Sequence, residues 1–178
     1  MKLLTLIVMM ALLSANFVQA ELGPVTKSIV VKYSTPDRIP TNIAVATECS
    51  EVGITENYLR GILHRKLVLN RVKPDNFGWD KQKLFIDSWI GCLVENLRIT
   101  ATIDLILRIQ IGDAIADHIK LGYSRGTLVY APKSKIEFIY DAYEEAAEEI
   151  TADFIGAHLE AEDIRDAMPS NQRSVRKY

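Results

Sequence analysis

The chain has 178 residues, 48% of them apolar, and its 21 Lys and Arg face 23 Asp and Glu for a net charge of −2. That length fits one domain, which can bury a core without metal or other staples. The charge balance excludes bulk attraction to nucleic acid, and no apolar run reaches the ~20 residues of a membrane-spanning helix.

Met1–Ala20 reads as a secretory signal peptide. Lys2 supplies the positive start, and Leu3 to Leu13 is apolar apart from Thr5. Ser14 to Ala20 is more polar and ends Val18-Gln19-Ala20, small enough at the last position for cleavage. The expected location is periplasmic or secreted, with no transmembrane span after cleavage. No Cys follows the cut, so a lipid-anchored form is not expected.

After a lead-in containing Pro24, Lys27–Ser34 alternates through Ile29, Val31 and Tyr33 and reads as a strand. Pro36 and Pro40 end it. Thr41–Cys49 is ambiguous, with Ile43–Ala46 able to continue the strand past a kink. Thr55 is a helix N-cap with Glu56 in the first turn. Leu59, Ile62, Leu63 and Leu67 form one helical stripe, and the helix stops before Pro74. Asp75-Asn76-Phe77-Gly78 is turn chemistry.

Three strands follow. Leu84–Leu93 is apolar on both faces, with Ile86, Ile90 and Cys92 opposite Phe85, Trp89 and Leu93. Ile99–Ile109 alternates cleanly: Ile99, Ala101, Ile103, Leu105, Leu107 and Ile109 face inward. Gly112–Asp117 is a loop. His118–Tyr130 is the third strand, with kinks or bulges at Gly122 and Gly126. Ser134-Lys135-Ile136-Glu137 is a capping box that opens a helix to about Leu159. Ile136, Tyr140, Tyr143, Ala147, Ile150 and Phe154 form its buried seam. The remaining residues are polar, with Pro169 and a basic end (Arg173, Arg176, Lys177), and read as a frayed tail.

The expected organisation is a signal peptide (1–20), one α+β domain (21–160) and a tail (161–178). The expected fold is a two-layer sandwich of order β-α-β-β-β-α, with two helices on one face of a largely antiparallel, four-stranded sheet. The two helices carry opposite charge, Arg60, Arg65 and Lys66 on the first against a strongly acidic second, so their flanks should attract. Cys49 and Cys92 are an even pair in an exported chain, which favours a disulfide. Two separate buried thiols are the alternative.

Candidate sites are sparse. Glu137, Asp141, Glu145, Glu149 and Asp153 repeat every four residues on one helix face. A hard cation wants oxygens converging from several elements, so this reads better as a solvated face. His64, His118 and His158 lie on three elements; only His118 has acids nearby, at Asp113 and Asp117. Ser124-Arg125-Gly126-Thr127 lacks the glycine spacing and Lys of a phosphate loop and reads as a bulged strand. Trp79, Trp89, Tyr123 and Tyr130 are ordinary packing before they are a groove. No hydrolase, zinc-protease, dithiol or dinucleotide motif occurs, so no cofactor is expected and catalysis is disfavoured. The best binding candidate is the outward face of the second meander strand: Thr100, Thr102, Asp104, Ile106, Arg108 and Gln110, together with an edge strand open to pairing.

Several segments resemble a family of small exported bacterial proteins of unassigned function. They are Gly53-Ile54-Thr55-Glu56 opening a helix, Leu84-Phe85-Ile86-Asp87-Ser88-Trp89, Arg125-Gly126-Thr127-Leu128, and Ala152–Leu159 with its Asp153-Phe154. The resemblance spans most of Gly53–Leu159, implies an envelope location and the same strand–helix order, and transfers no catalytic residues. The architecture also resembles small lipoprotein subunits that plug or chaperone outer-membrane assembly machines, from which this chain departs by lacking the acylated Cys.

The leading functional expectation is therefore a non-catalytic periplasmic domain that binds a protein partner or envelope component. A lipid or apolar-ligand carrier and a small hydrolase or metal enzyme built on Asp113, Asp117 and His118 are the alternatives.

Overall fold

The computed structural model describes residues 24–76, 84–110 and 118–167. The elements are α1 (Pro24–Tyr33), β1 (Arg38–Val45), α2 (Thr47–Glu51), α3 (Glu56–Leu69), β2 (Lys73–Asn76), β3 (Leu84–Glu95), β4 (Arg98–Gln110), β5 (His118–Pro132), a 3-10 turn (Lys133–Lys135) and α4 (Glu137–Ala167). This is an α+β fold: one five-stranded sheet, order β2-β1-β3-β4-β5, with helices packed against it. The expected signal peptide lies outside the described residues, as does the tail beyond Ala167.

The sheet is mixed. β1 runs parallel to both β2 and β3, and β3, β4 and β5 form the expected antiparallel meander. The fifth strand is β2, Lys-Pro-Asp-Asn, whose Asp75 and Asn76 were expected to open a turn. It has no hydrophobic pattern. Main-chain pairing with β1 holds it, helped by Lys73 N–H donating to Asp37 O at 2.7 Å.

The segment expected as the first strand is instead α1. Pro24 suits the first turn of a helix, where a missing N–H costs nothing. Val30 is fully buried, with Ile29 and Tyr33 packed beside it, which is a helical stripe rather than an alternating one. Lys27 pairs with Glu160, and the Ser34 hydroxyl lies 3.0 Å from His158 Nε2, so α1 docks on the far end of α4. The first strand is the stretch read as a continuation, and Pro40 sits inside it rather than ending it. Pairing with β3 starts one residue later, at Thr41, so the absent Pro40 N–H breaks no bond of that ladder.

The stripe of α3 forms as expected: Leu59, Ile62, Leu63 and Leu67 are buried, and Thr55 Oγ1 accepts from Tyr58 N–H at 3.4 Å. α4 starts at Glu137 and continues to Ala167, so the chain from Glu160 to Ala167 is helical where a frayed tail was expected. Thirty-one residues make it about 46 Å long. Its seam buries Ile139, Tyr143, Ala147, Ile150 and Phe154. These meet the inward residues of β4, all buried as expected from Ile99 to Ile109. The opposite charges of the two helices do meet: Lys66 Nζ lies 3.0 Å from Glu144 and 2.8 Å from Glu148, and Arg65 lies 3.3 Å from Glu144.

Cys49 and Cys92 form a disulfide, with Cα atoms 5.1 Å apart across a separation of 43 residues. It ties α2 to the centre of the sheet.

Candidate binding face

The helices cover one face of the sheet. The other carries the alternate residues of each strand, and its burial changes along the strands. At the start of β3 it is closed: Phe85 is 1% exposed and Ile106, level with the next residue outward on β3, is 7% exposed. Toward the β3–β4 turn it is open. Trp89 is 46%, Leu93 60%, Leu128 70% and Tyr130 62% exposed.

Register explains why these groups cluster. Trp89, Asp104 and Gly126 share one row, Gly91, Thr102 and Leu128 the next, and Leu93, Thr100 and Tyr130 the third. Gly91 is open ground for the Trp89 indole: a Cβ there would stand 2.2 Å from the ring. The indole therefore lies flat along the strand instead of standing into solvent. Arg98 Nη1 donates to the Tyr130 hydroxyl at 2.7 Å, and its guanidinium lies 5.5 Å from the ring. The result is an apolar floor bordered by Thr100, Thr102, Asp104 and Arg98.

The expected binding residues fare unequally. Thr102 is exposed, and Thr100 and Asp104 are half-buried on the open stretch. Ile106 is buried, so it is removed from any binding surface. Arg108 is spent on Asp87, Nε to Oδ2 2.9 Å, an ion pair without the angle of a hydrogen bond. Asp87 also accepts from Asn42 Nδ2 at 2.8 Å. Gln110 ends β4, its backbone paired with His118. Leu93 and Leu128 were missed, although both fall on the outward phase of their strands.

The remaining candidates resolve separately. Asp113 and Asp117 lie outside the described residues, and His118 opens β5. His64 Nε2 lies 2.8 Å from Thr41 Oγ1, and burial, with Arg60 beside it, lowers its pKa below the usual 6.5. His158, 7% exposed, contacts Ser34 and packs edge-on to Phe154; burial lowers its pKa against the opposing pull of Glu162. Both histidines are structural hydrogen-bonding groups with separate partners. The acidic ladder is not simply solvated. Arg125, on the helix side of β5, binds Glu149 at 3.2 Å and Asp153 at 3.0 Å. That also assigns Ser124–Thr127: a strand carrying a half-buried cation, with Gly126 regular in the ladder. The one register break falls where Gly122 lies, opposite Leu107. Among the described residues no three His, Cys, Asp or Glu side chains are gathered to hold a metal, and no helix is long and apolar enough to cross a membrane.

No family model matches the chain, and no curated protein matches it. The chain is similar to several solved structures, three of which follow. Rare lipoprotein B from Shewanella oneidensis is 9% identical, over 71% of this chain and 98% of that one, with a TM-score of 0.33. A minor lipoprotein from Acinetobacter baumannii is 10% identical, over 71% and 94%, with a TM-score of 0.30. An uncharacterized lipoprotein B from Nitrosomonas europaea is 15% identical, over 72% and 93%, with a TM-score of 0.34. All three bear lipoprotein names, and likeness of this degree says nothing of what this chain does.

Proposed function

We propose that the protein is an exported, non-catalytic envelope protein that binds an apolar surface of a protein partner through the open half of its outer sheet face. One observation carries this reading. Four large apolar side chains, Trp89, Leu93, Leu128 and Tyr130, stand at least 46% exposed in adjoining rows of one sheet face, whereas the other exposed large apolar side chains lie on α3, α4 and the β3–β4 turn. Scattered apolar exposure needs no explanation, but a grouped patch rimmed by polar side chains marks an interaction surface. An aromatic anchor lying on a rigid sheet meets a partner at low entropic cost. The carrier alternative needs open space between helices and sheet, and there Leu59, Leu63, Tyr143 and Phe154 are fully buried in one hydrophobic core.

The test is site-specific photocrosslinking in intact cells. A photoreactive residue at position 89 or 93 should give a discrete heavier adduct in the envelope fraction. The same residue at Val68, 60% exposed on the helical side, should not. Equal adduct yields from all three positions, or none from 89 and 93, overturn the reading.

A further inference from the structure

The edge strand β5 carries its groups in a self-complementary order. Among the described residues β5 pairs only with β4, so its far edge is open. The ladder with β4 is regular from Ser124 to Pro132. Two β4 side chains lean outward over that stretch. Asp104 Oδ1 overlies Gly126, 2.6 Å from where a Cβ would stand. Arg98 reaches the Tyr130 hydroxyl. Neither makes an ion pair among the described residues.

We infer that two copies of this chain pair edge to edge through β5, antiparallel about a two-fold axis at Val129, so that the two sheets continue as one. Residues whose numbers average 129 then face each other. Leu128 meets Tyr130 of the second copy, joining the two exposed apolar groups of the edge. Gly126 meets Pro132 of the second copy. Within each copy Asp104 is level with Gly126, and Arg98 with Pro132. Each Asp104 therefore shares a row with Arg98 of the second copy. Three strand spacings of ~4.8 Å separate the two β4 strands, about 14 Å in all. The carboxylate covers about half a spacing, stopping 2.6 Å short of where a Gly126 Cβ would stand, and the arginine can reach across about one more, which leaves about 7 Å between opposite charges, a gap that rotation of the long arginine side chain can narrow. Symmetry makes the pair twice. An axis one residue earlier sets Leu128 against itself and Asp104 against Thr100, and both ion pairs vanish. The contact is closed and isologous, so it consumes the long edge instead of propagating. The far edge of each sheet is only the four-residue β2. Trp89 and Leu93 stay uncovered, so this pairing does not depend on the proposed partner.

Sedimentation equilibrium of the purified protein tests it, with circular dichroism to confirm that each variant folds. The protein should reach twice the monomer mass. Asp104→Arg alone and Arg98→Asp alone should each weaken association by at least about tenfold, since each leaves two like-charge contacts. Their equimolar mixture should regain it, because the mixed pair restores both opposite-charge contacts. Cysteine cross-linking fixes the register, the two natural cysteines being already paired. Leu128→Cys mixed with Tyr130→Cys should form disulfide-linked pairs on oxidation, and neither alone should. A monomer at every concentration, a mixture that does not recover, or self-linking by Leu128→Cys overturns the inference.

Discussion

Breaking the Cys49–Cys92 bridge should cost about 4 kcal/mol. The bond closes a loop across 43 residues. On the chain-entropy relation such a loop removes about 13 cal/mol/K from the unfolded state, or about 4 kcal/mol at 25 °C. A domain of this size holds roughly 5–15 kcal/mol in total, so much of its stability is at stake. The bridge also anchors α2, a five-residue helix that has no side-chain cap. The assay is urea unfolding of the oxidised protein against the Cys49→Ala/Cys92→Ala variant, followed by far-UV circular dichroism. Cys49 is fully buried and Cys92 half-buried, so truncation adds a packing loss in the same direction. With a urea slope of about 2 kcal/mol/M, the midpoint should fall by about 2 M. A fall of less than about 0.5 M would refute the reasoning, because it would mean that the unfolded chain gains little freedom when the loop opens.

Two further outcomes follow from buried polar groups. The Tyr143 hydroxyl is buried beside Ser88, and burial pushes its pKa up to about 12 despite Ser88; neither hydroxyl completes a hydrogen bond of full geometry. Tyr143→Phe should therefore shift stability by less than about 1 kcal/mol, whereas Tyr143→Ala should cost about 3–5 kcal/mol by leaving a cavity under α4. Urea midpoints separate the two, and a large loss in the Phe variant would show the hydroxyl to be bound. His64 and His158 both have pKa values lowered from 6.5, so the folded state takes up protons less readily than the unfolded chain. Their contribution is whole above about pH 6.5 and declines as pH falls toward the folded pKa values. The urea midpoint should drop between pH 7.5 and 5.5, and drop less in the His64→Gln/His158→Gln variant; a flat wild-type profile would contradict the burial argument.

The parts legible in the sequence are those where one element's pattern decides its fate. The alternation of Ile99–Ile109 and the stripe Leu59, Ile62, Leu63, Leu67 each bury their apolar face whatever lies against them. The parts that were not legible depend on a neighbour. Val30 and Ile29 look like strand residues until α4 offers them a helical docking face. β2 has no apolar pattern and exists through its pairing with β1. Pro40 looks like a stop until the register shows where pairing with β3 begins. The candidate face follows the same rule. Its β4 members, such as Thr100 and Thr102, were readable from alternation within one strand. Leu93 and Leu128 joined it only in the structure, because phase along a strand does not say whether anything covers the outward side of the expected meander.

The place of β3 has a consequence for how the chain acquires its shape. It is the hinge of the sheet, parallel to β1 on one side and antiparallel to β4 on the other. The β3–β4 side closes through a tight local turn and is entropically cheap; the β1 side must draw in residues about 45 positions upstream, past two helices. The meander should therefore assemble early and the parallel half late, leaving β3 briefly an unguarded rim, and the thiol pair straddling that late junction is placed to latch it once it has closed.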